Sequence, residues 1–103
     1  MNIFKQLFGG GGAKPDLAGL IKDGAFIADV RTPGEFAGGH AKGSVNIPLD
    51  KVASQLTRFR NKKNIIVCCQ SGGRSGQAKI ILEKNGFTNV INGGGWNNVA
   101  QYC

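Results

Sequence analysis

One stretch of sequence decides the fold: Ile65-Ile66-Val67-Cys68-Cys69-Gln70-Ser71-Gly72-Gly73-Arg74-Ser75. It opens with five apolar residues, 65–69, which are the strongest strand signal in the chain. A glycine turn follows, and a helix is then predicted from Ser75 to Asn85, with Gly86 as its C-terminal stop. An apolar strand that passes through a short turn into a helix is typical of a sheet with parallel strands.

Further strand and helix signals alternate on both sides of this stretch. Short apolar runs predict strands at 25–30, 44–47 and 88–91. Helices are expected at 15–22, from Thr32, and from Asp50 through Phe59, and a turn is expected at Gly93–Gly95. This alternation predicts an α/β fold: a parallel sheet of four to five strands with helices on both faces. Ligands of such sheets bind at the carboxyl ends of the strands, which points to the loop after Cys69.

The composition describes one ordinary globular domain with an excess of glycine. The chain has 103 residues, of which 41% are hydrophobic and 18% charged, so it is long enough for one modest core. It contains 17 glycines, against a usual share of about 7%. Four of them, Gly9–Gly12, have the composition of a flexible tether. We therefore expect a flexible N-terminal tail at 1–12 and a folded domain at 13–103.

The N-terminal residues carry neither a membrane span nor a secretory signal. No apolar run approaches the roughly 18 residues that a membrane helix needs, and no cleavage site follows residues 1–8. We expect a cytoplasmic protein without integral membrane contact, or a periplasmic one if the chain had been trimmed. One face of the tail is apolar, which favours packing on the domain or a partly ordered tail over docking on a membrane or partner; its residues are Ile3, Phe4, Leu7 and Phe8.

The charge and the cysteine count exclude further classes of protein. Lys and Arg number 13 against 6 Asp and Glu, a net charge of +7. Part of the excess lies on one turn at 58–63, where Phe59 is the single aromatic residue among the basic ones. Nucleic-acid binding favours a continuous basic face with several stacking residues, so no nucleic-acid partner is expected. A positive field would still attract anionic partners. Three cysteines, two of them adjacent, are too few for a disulfide scaffold and favour a reducing compartment.

The loop after Cys69 has the pattern of an anion cradle. Gly72 and Gly73 allow successive backbone N–H groups to turn inward, and the following helix adds its positive N-terminal end. A cysteine at the edge of such a cradle, with Arg74 near, should have a lowered pKa and act as a nucleophile. The alternative is a buried cysteine beside an ordinary glycine turn.

Four segments together resemble the rhodanese family of single-domain sulfurtransferases, over roughly residues 13 to 100. They are Asp29–Phe36, Gly39–Pro48, Cys69–Ser75 and Gly86–Gly95. The third matches the family's catalytic C-x-x-G-x-R-S loop, and the whole is most similar to the small phage-shock-type members. The chain departs from the family pattern at Ala41, where Ile is usual, and at Val99, where Trp is usual.

The resemblance implies a rhodanese-like fold and a double-displacement sulfur transfer. The Cys69 thiolate attacks the sulfane sulfur of thiosulfate, sulfite leaves, and a cyanide ion or a thiol then takes the sulfur from the Cys69 persulfide. The residues expected to bind the substrate are those of the loop: Gln70, Ser71, Gly72, Gly73, Arg74 and Ser75. No metal or organic cofactor is needed, and the protein is expected to be a monomer. Two alternatives stay open: a protein-to-protein persulfide relay, and a non-catalytic or regulatory rhodanese-like binding module.

Other polar residues are expected to support the site rather than react. Asp29 and Arg31 are interpreted as structural, with Asp29 accepting loop N–H groups near the cradle, and His40 as hydrogen-bonding loops beneath the site. Glu35 is expected to be the capping partner of Thr32.

Two further features bear on Cys69. Cysteine-dependent phosphatases of similar design place five residues between Cys and Arg, whereas four separate Cys69 from Arg74. The smaller cradle favours a sulfur atom over a phosphate. Cys68 should point away from Cys69 into the core, and the terminal Cys103 is expected to be a free thiol rather than a resolving one.

Overall fold

The structure is a computed structural model that describes residues 15–103, so the tail predicted at 1–12 and its apolar face lie outside the described residues. Within residues 15–103, four strands form one parallel sheet, which confirms the predicted α/β class. In chain order they are β1 (Phe26–Asp29), β2 (Val45–Asn46), β3 (Ile65–Cys69) and β4 (Val90–Gly95). Their order across the sheet is β2-β1-β3-β4.

Helices cover both faces of this sheet. They are α1 (Leu17–Lys22), α2 (Pro33–Ala37), α3 (Leu49–Val52), a 3₁₀ helix (Leu56–Phe59), α4 (Gly73–Lys84) and α5 (Trp96–Ala100). One apolar core lies between the sheet and α3, the 3₁₀ helix and α4, and a second lies between the sheet and helices α1 and α5. Since both faces are covered, β3 is buried along its whole length, as its continuous apolar run predicts.

The register of the sheet brings the site residues together at one edge. Asp29 on β1 pairs with Cys68 on β3, and Cys69 pairs with Gly95 on β4. The carboxyl ends of the three strands therefore meet at the turn that leads into α4.

The helix predicted from Asp50 through Phe59 is wrong as one element. Helix α3 begins after Pro48 and ends at Val52, and a separate 3₁₀ helix follows. Between them the Ser54 hydroxyl donates to the Lys51 carbonyl at 3.0 Å, a side-chain contact that competes with helix propagation. Val52 and Phe59 are both buried in the same core, so the predicted apolar face is right although the helix is broken.

The glycine run Gly93–Gly95 continues strand β4 rather than forming the predicted turn. The pairing of β4 with β3 shifts register between Val67 and Cys68, which leaves Gly93 as the extra residue of a β-bulge. A Cβ at Gly93 would lie 2.7 Å from Val99 Cγ2 and 2.8 Å from Ile66 Cγ2. Glycine is therefore required there for α5 to pack closely on the sheet, which local sequence patterns do not reveal.

Candidate active site

The candidate nucleophile lies where β3 ends and α4 begins. Cys69 is the last residue of β3, and α4 begins at Gly73, two residues earlier than predicted. Gly72 caps the helix with φ +104°, a backbone conformation that residues with a Cβ rarely adopt. This turn places the N-terminus of a 12-residue helix next to the thiol, where free N–H groups and the helix dipole favour an anion.

Cys69 is enclosed by hydrogen-bond donors. Cys69 is 1% exposed. The Gly72 N–H donates to Cys69 Sγ at 3.0 Å, and Ser75 Oγ lies 3.4 Å from the same sulfur. Burial acts to raise the pKa of Cys69, but hydrogen bonds from the Ser75 side chain and from the backbone of Ser75, Gly72 and Ser71 outweigh it. The pKa therefore lies below its ordinary value, as predicted, so Cys69 forms its nucleophilic thiolate more readily than an unperturbed cysteine does.

Ser75 connects Cys69 to Asn92, a residue that we do not predict from the sequence. Ser75 is fully buried, and its hydroxyl lies 2.7 Å from Asn92 Oδ1. The Asn92 amide group also donates to the Gly72 carbonyl at 3.2 Å and accepts from the Gly94 N–H at 2.9 Å. Asn92 thus ties β4 to the loop. A polar residue inside a strand could have indicated Asn92, but the sequence pattern predicts that the strand ends at residue 91 and that a glycine turn follows.

Arg74 forms an ion pair with Glu35, the second residue that the sequence pattern does not assign to the site. Arg74 Nη1 donates to Glu35 Oε1 at 2.8 Å and Nη2 donates to Oε2 at 3.0 Å. Glu35 is also the capping partner of Thr32, as predicted, because both hydrogen bonds of the capping box are present. The capping role is local and readable from sequence, whereas the bond to Arg74 spans 39 positions of the chain.

Asp29 and Arg31 form a buried ion pair below the loop. Arg31 Nε and Nη2 donate to the Asp29 carboxylate at 2.9 and 2.7 Å, and the Arg31 N–H donates to it at 3.0 Å. Asp29 therefore accepts from Arg31 rather than from the amides of the cysteine loop, because its partner lies only two residues away. The Arg31 guanidinium also donates to the Gly39 carbonyl at 2.7 Å and lies 4.8 Å from the Trp96 ring centroid. Both side chains are buried, and their role as structural support of the site stays a prediction.

His40 is exposed and does not bond loops beneath the site. Its Nδ1 lies 2.8 Å from the Phe36 carbonyl oxygen, and its ring stacks on that of Phe36 at a centroid distance of 3.7 Å. The predicted partner is therefore wrong, because the four-residue spacing brings His40 back onto the last turn of α2. The structure indicates a local stabilising contact.

The other two cysteines differ from Cys69 in environment. Cys68 packs in the core on the opposite face of the sheet, as predicted, and burial raises its pKa to about 12. Cys103 is an exposed free thiol, and partial burial of its sulfur raises its pKa. Of the three thiols, Cys69 alone has a lowered pKa.

The remaining loop residues, Gln70 and Ser71, are exposed. The Gln70 carbonyl oxygen lies so close to Gly95 that a Cβ there would come within 2.9 Å of it. A cavity of about 570 Å³ borders the loop on the β4 side, with Ser71 and Gly72 on one wall and Asn92, Asn98 and Tyr102 among its other lining residues. Space for a small molecule therefore lies beside the loop.

The described part of the chain offers little to hold a metal. Among residues 15–103, no group of three or more His, Cys, Asp or Glu side chains could bind a metal ion. Within the same residues, each helix is too short or too polar to cross a membrane.

Known proteins resemble this chain in sequence. A family model described as "Rhodanese-like domain" matches residues 13–101. The uncharacterized protein YqhL of Bacillus subtilis is 43% identical over 68 residues, a match that covers 66% of this chain and 54% of that protein. The thiosulfate sulfurtransferase PspE of Escherichia coli is 40% identical over 75 residues, with 71% of this chain and 72% of that protein covered. The chain thus spans about half the length of YqhL and somewhat more of PspE.

A solved structure has the same arrangement of helices and strands. The structure titled "rhodanese with anions from E. coli" superimposes with a TM-score of 0.67 at 38% sequence identity. The match covers 74% of this chain and 92% of that one.

Proposed function

This chain belongs to the rhodanese-like domain family, and we propose that it moves a sulfane sulfur from thiosulfate, through a persulfide on Cys69, to cyanide or a thiol. The family match and the sulfurtransferase relative support sulfur transfer as the general class of reaction. The specific donor, the acceptor and the covalent intermediate are the proposal.

In the first step the Cys69 thiolate attacks the outer sulfur of thiosulfate. A Cys69 S–S bond forms, the S–S bond of thiosulfate breaks, and sulfite leaves with that electron pair. The persulfide keeps one negative charge on its terminal sulfur. In the second step cyanide or a thiolate attacks this sulfur, and the electron pair of the persulfide bond returns to Cys69 as thiolate.

The observation that carries this proposal is the hydrogen bonding around Cys69 Sγ. The Gly72 N–H at 3.0 Å and the Ser75 hydroxyl at 3.4 Å surround a sulfur with little access to water. Donors that are already in place stabilise a charge without reorganisation when it appears. The same loop amides and the N-terminus of α4 can stabilise the persulfide anion.

A second candidate is a relay that takes its sulfur from a persulfide on another protein. The ion pair of Arg74 with Glu35 favours it, because a neutralised Arg74 attracts a small dianion such as thiosulfate less. Both candidates use Cys69 in the same way and differ in the donor.

The test is mass spectrometry of the intact protein after incubation with thiosulfate. We expect a mass gain of about 32 Da, one sulfur atom, on the wild-type protein. Cys69→Ser should show no gain, while Cys103→Ser should behave as wild type. A protein that gains no sulfur from thiosulfate or from a persulfidated donor protein would contradict both candidates and favour a binding module.

The donor is then identified by turnover. Faster turnover with thiosulfate than with a persulfidated donor protein supports the first candidate, and the reverse supports the relay. A reducing compartment such as the cytoplasm would keep Cys69 as a free thiol; the location stays a prediction.

A further inference from the structure

Arg74 is the cation of the cysteine loop, and its hydrogen-bonding side faces Glu35. Both terminal nitrogens of Arg74 donate to the two carboxylate oxygens, at 2.8 and 3.0 Å. This two-point geometry is the strongest that an arginine and a carboxylate form. The two side chains are 34% and 35% exposed, so the pair faces solvent rather than the core.

Glu35 is held in this position from its other side. The Thr32 N–H donates to Glu35 Oε1 at 3.0 Å, and the Thr32 hydroxyl lies 3.1 Å from the same oxygen. The first turn of α2 therefore holds the Glu35 carboxylate in place independently of Arg74. The hydrogen bond from Arg74, followed by that from the Thr32 backbone, lowers the pKa of Glu35 to about 2. The carboxylate is ionised at neutral pH.

The positive charge of Arg74 interacts with the negative charge of the Cys69 thiolate. Glu35 raises the pKa of Arg74 first, through its hydrogen bond, and the negative charge of Cys69 raises it further. Arg74 also lines a groove of about 450 Å³ with Thr32, Leu49 and Asp50. The groove therefore also holds the acidic residue Asp50, whereas Glu35 is the carboxylate that pairs directly with the Arg74 guanidinium.

We propose that Glu35 determines the charge selectivity of the site: by neutralising Arg74, it disfavours anionic reagents and donors at Cys69 relative to uncharged ones. The part of this proposal that concerns the sulfur donor rests on the proposed function. The part that concerns the selectivity of the Cys69 thiolate between charged and uncharged reagents holds without it. Removing the carboxylate leaves Arg74 with an uncompensated positive charge. The potential at Cys69 then becomes more positive.

The test compares alkylation of Cys69 by iodoacetate, an anion, and by iodoacetamide, its uncharged analogue. In both reactions the thiolate displaces iodide, so the ratio of the two rate constants is independent of the thiolate fraction. Mass spectrometry of the peptide that contains Cys69 separates its reaction from that of Cys103. We expect Glu35→Gln to raise the ratio of iodoacetate to iodoacetamide by about threefold or more at low ionic strength.

Glu83→Gln is the matched control, since it makes the same change of net charge at an exposed position of α4. Its ratio should stay at the wild-type value. Arg74→Gln leaves Glu35 uncompensated and should lower the ratio by about threefold. If Glu35→Gln does not fold, the Arg74→Gln variant still tests whether the charge of this ion pair sets the alkylation ratio at Cys69. An unchanged ratio in Glu35→Gln, an equal rise in Glu83→Gln, or an unchanged ratio in Arg74→Gln would overturn the proposal.

A kinetic measurement links the selectivity to sulfur transfer. Glu35→Gln should lower the KM for thiosulfate, because the freed guanidinium attracts the dianion. A protein that shows the alkylation pattern but no turnover with thiosulfate would contradict the proposed donor and leave the role of Glu35 supported. If Glu35→Gln is active and its KM for thiosulfate stays at the wild-type value or rises, the proposed role of Glu35 is overturned.

Discussion

At the scale of single residues, the hydroxyl of Ser75 is one of the groups that surround the sulfur of Cys69. Ser75 Oγ lies within reach of three acceptors: Asn92 Oδ1 at 2.7 Å, the Gly72 carbonyl at 3.1 Å and Cys69 Sγ at 3.4 Å. The hydroxyl can turn from the neutral oxygens to the sulfur when the thiolate forms, because hydrogen bonds to a charged acceptor are the stronger ones. Ser75 thus contributes to the lowered pKa of Cys69.

Replacing this hydroxyl should make Cys69 less reactive below its pKa. In Ser75→Ala the thiolate loses a donor, so the midpoint of the pH–rate profile for iodoacetamide moves to higher pH. A loss of about 1 kcal/mol corresponds to a roughly fivefold slower reaction on the acid side of the profile. The measurement is the alkylation rate of Cys69 across pH.

Ser71→Ala is the control for this prediction, because Ser71 is exposed and keeps its backbone N–H in the variant. Its profile should overlay the wild-type profile. A Ser75→Ala profile that also overlays the wild type would show that the hydroxyl does not stabilise the thiolate.

At the scale of elements, the junction of β3 and α4 depends on backbone conformation. Gly72 has φ +104°, and a Cβ placed there would meet only Gly94 Cα, at 3.5 Å, among the described residues other than its chain neighbours. Space is therefore sufficient, and conformational strain is the obstacle to a side chain. The adjacent Gly73 has an ordinary backbone conformation and open space around it.

This contrast predicts opposite effects of the same substitution at neighbouring positions. Gly72→Ala should lower the free energy of unfolding by about 1–2 kcal/mol, because alanine is strained at positive φ. Gly73→Ala should leave it unchanged or raise it by up to about 1 kcal/mol, because alanine favours the helix. Urea unfolding followed by circular dichroism measures both. Equal losses in the two variants would show that the positive φ angle of Gly72 is not the reason that alanine is unfavourable there.

At the scale of the whole molecule, the buried pair of Asp29 and Arg31 connects elements from both halves of the chain. Arg31 is 3% exposed and reaches the carbonyls of Gly39 and Glu35, at 2.7 and 3.4 Å. Its contact with Trp96 extends the network to α5. Val99, which stands where the family usually has Trp, is fully buried, so Val99 fills the core and Trp96 covers Arg31.

Removing one partner of this pair should destabilise the whole domain. Asp29→Asn leaves the buried Arg31 charge without its carboxylate, which costs about 3–5 kcal/mol in comparable buried pairs. Asp23→Asn is the control, because the ion pair of Asp23 with Lys63 is exposed and should contribute less than about 1 kcal/mol. Urea unfolding compares the two variants. A loss in Asp29→Asn as small as in Asp23→Asn would show that the buried pair is not a major source of stability.

The sequence by itself determined the α/β class, the strand that carries Cys69 and the glycine loop after it. These features depend on local patterns: an apolar run, a pair of glycines and a capping box at Thr32 and Glu35. Local patterns are less able to place the ends of elements, which is why the helix from Asp50 and the turn at Gly93–Gly95 were wrong. In both, contacts with a neighbouring side chain or strand decided the backbone.

Only the tertiary structure decided how the site residues are paired. Glu35 meets Arg74 across 39 positions, and Ser75 meets Asn92 across 17. Such pairs depend on the strand order β2-β1-β3-β4 and on the register shift at Gly93, neither of which is encoded in a local window. The sequence thus predicts Cys69 and its loop as the site. Packing between distant elements decides which groups surround the Cys69 sulfur and that Arg74 is paired with Glu35.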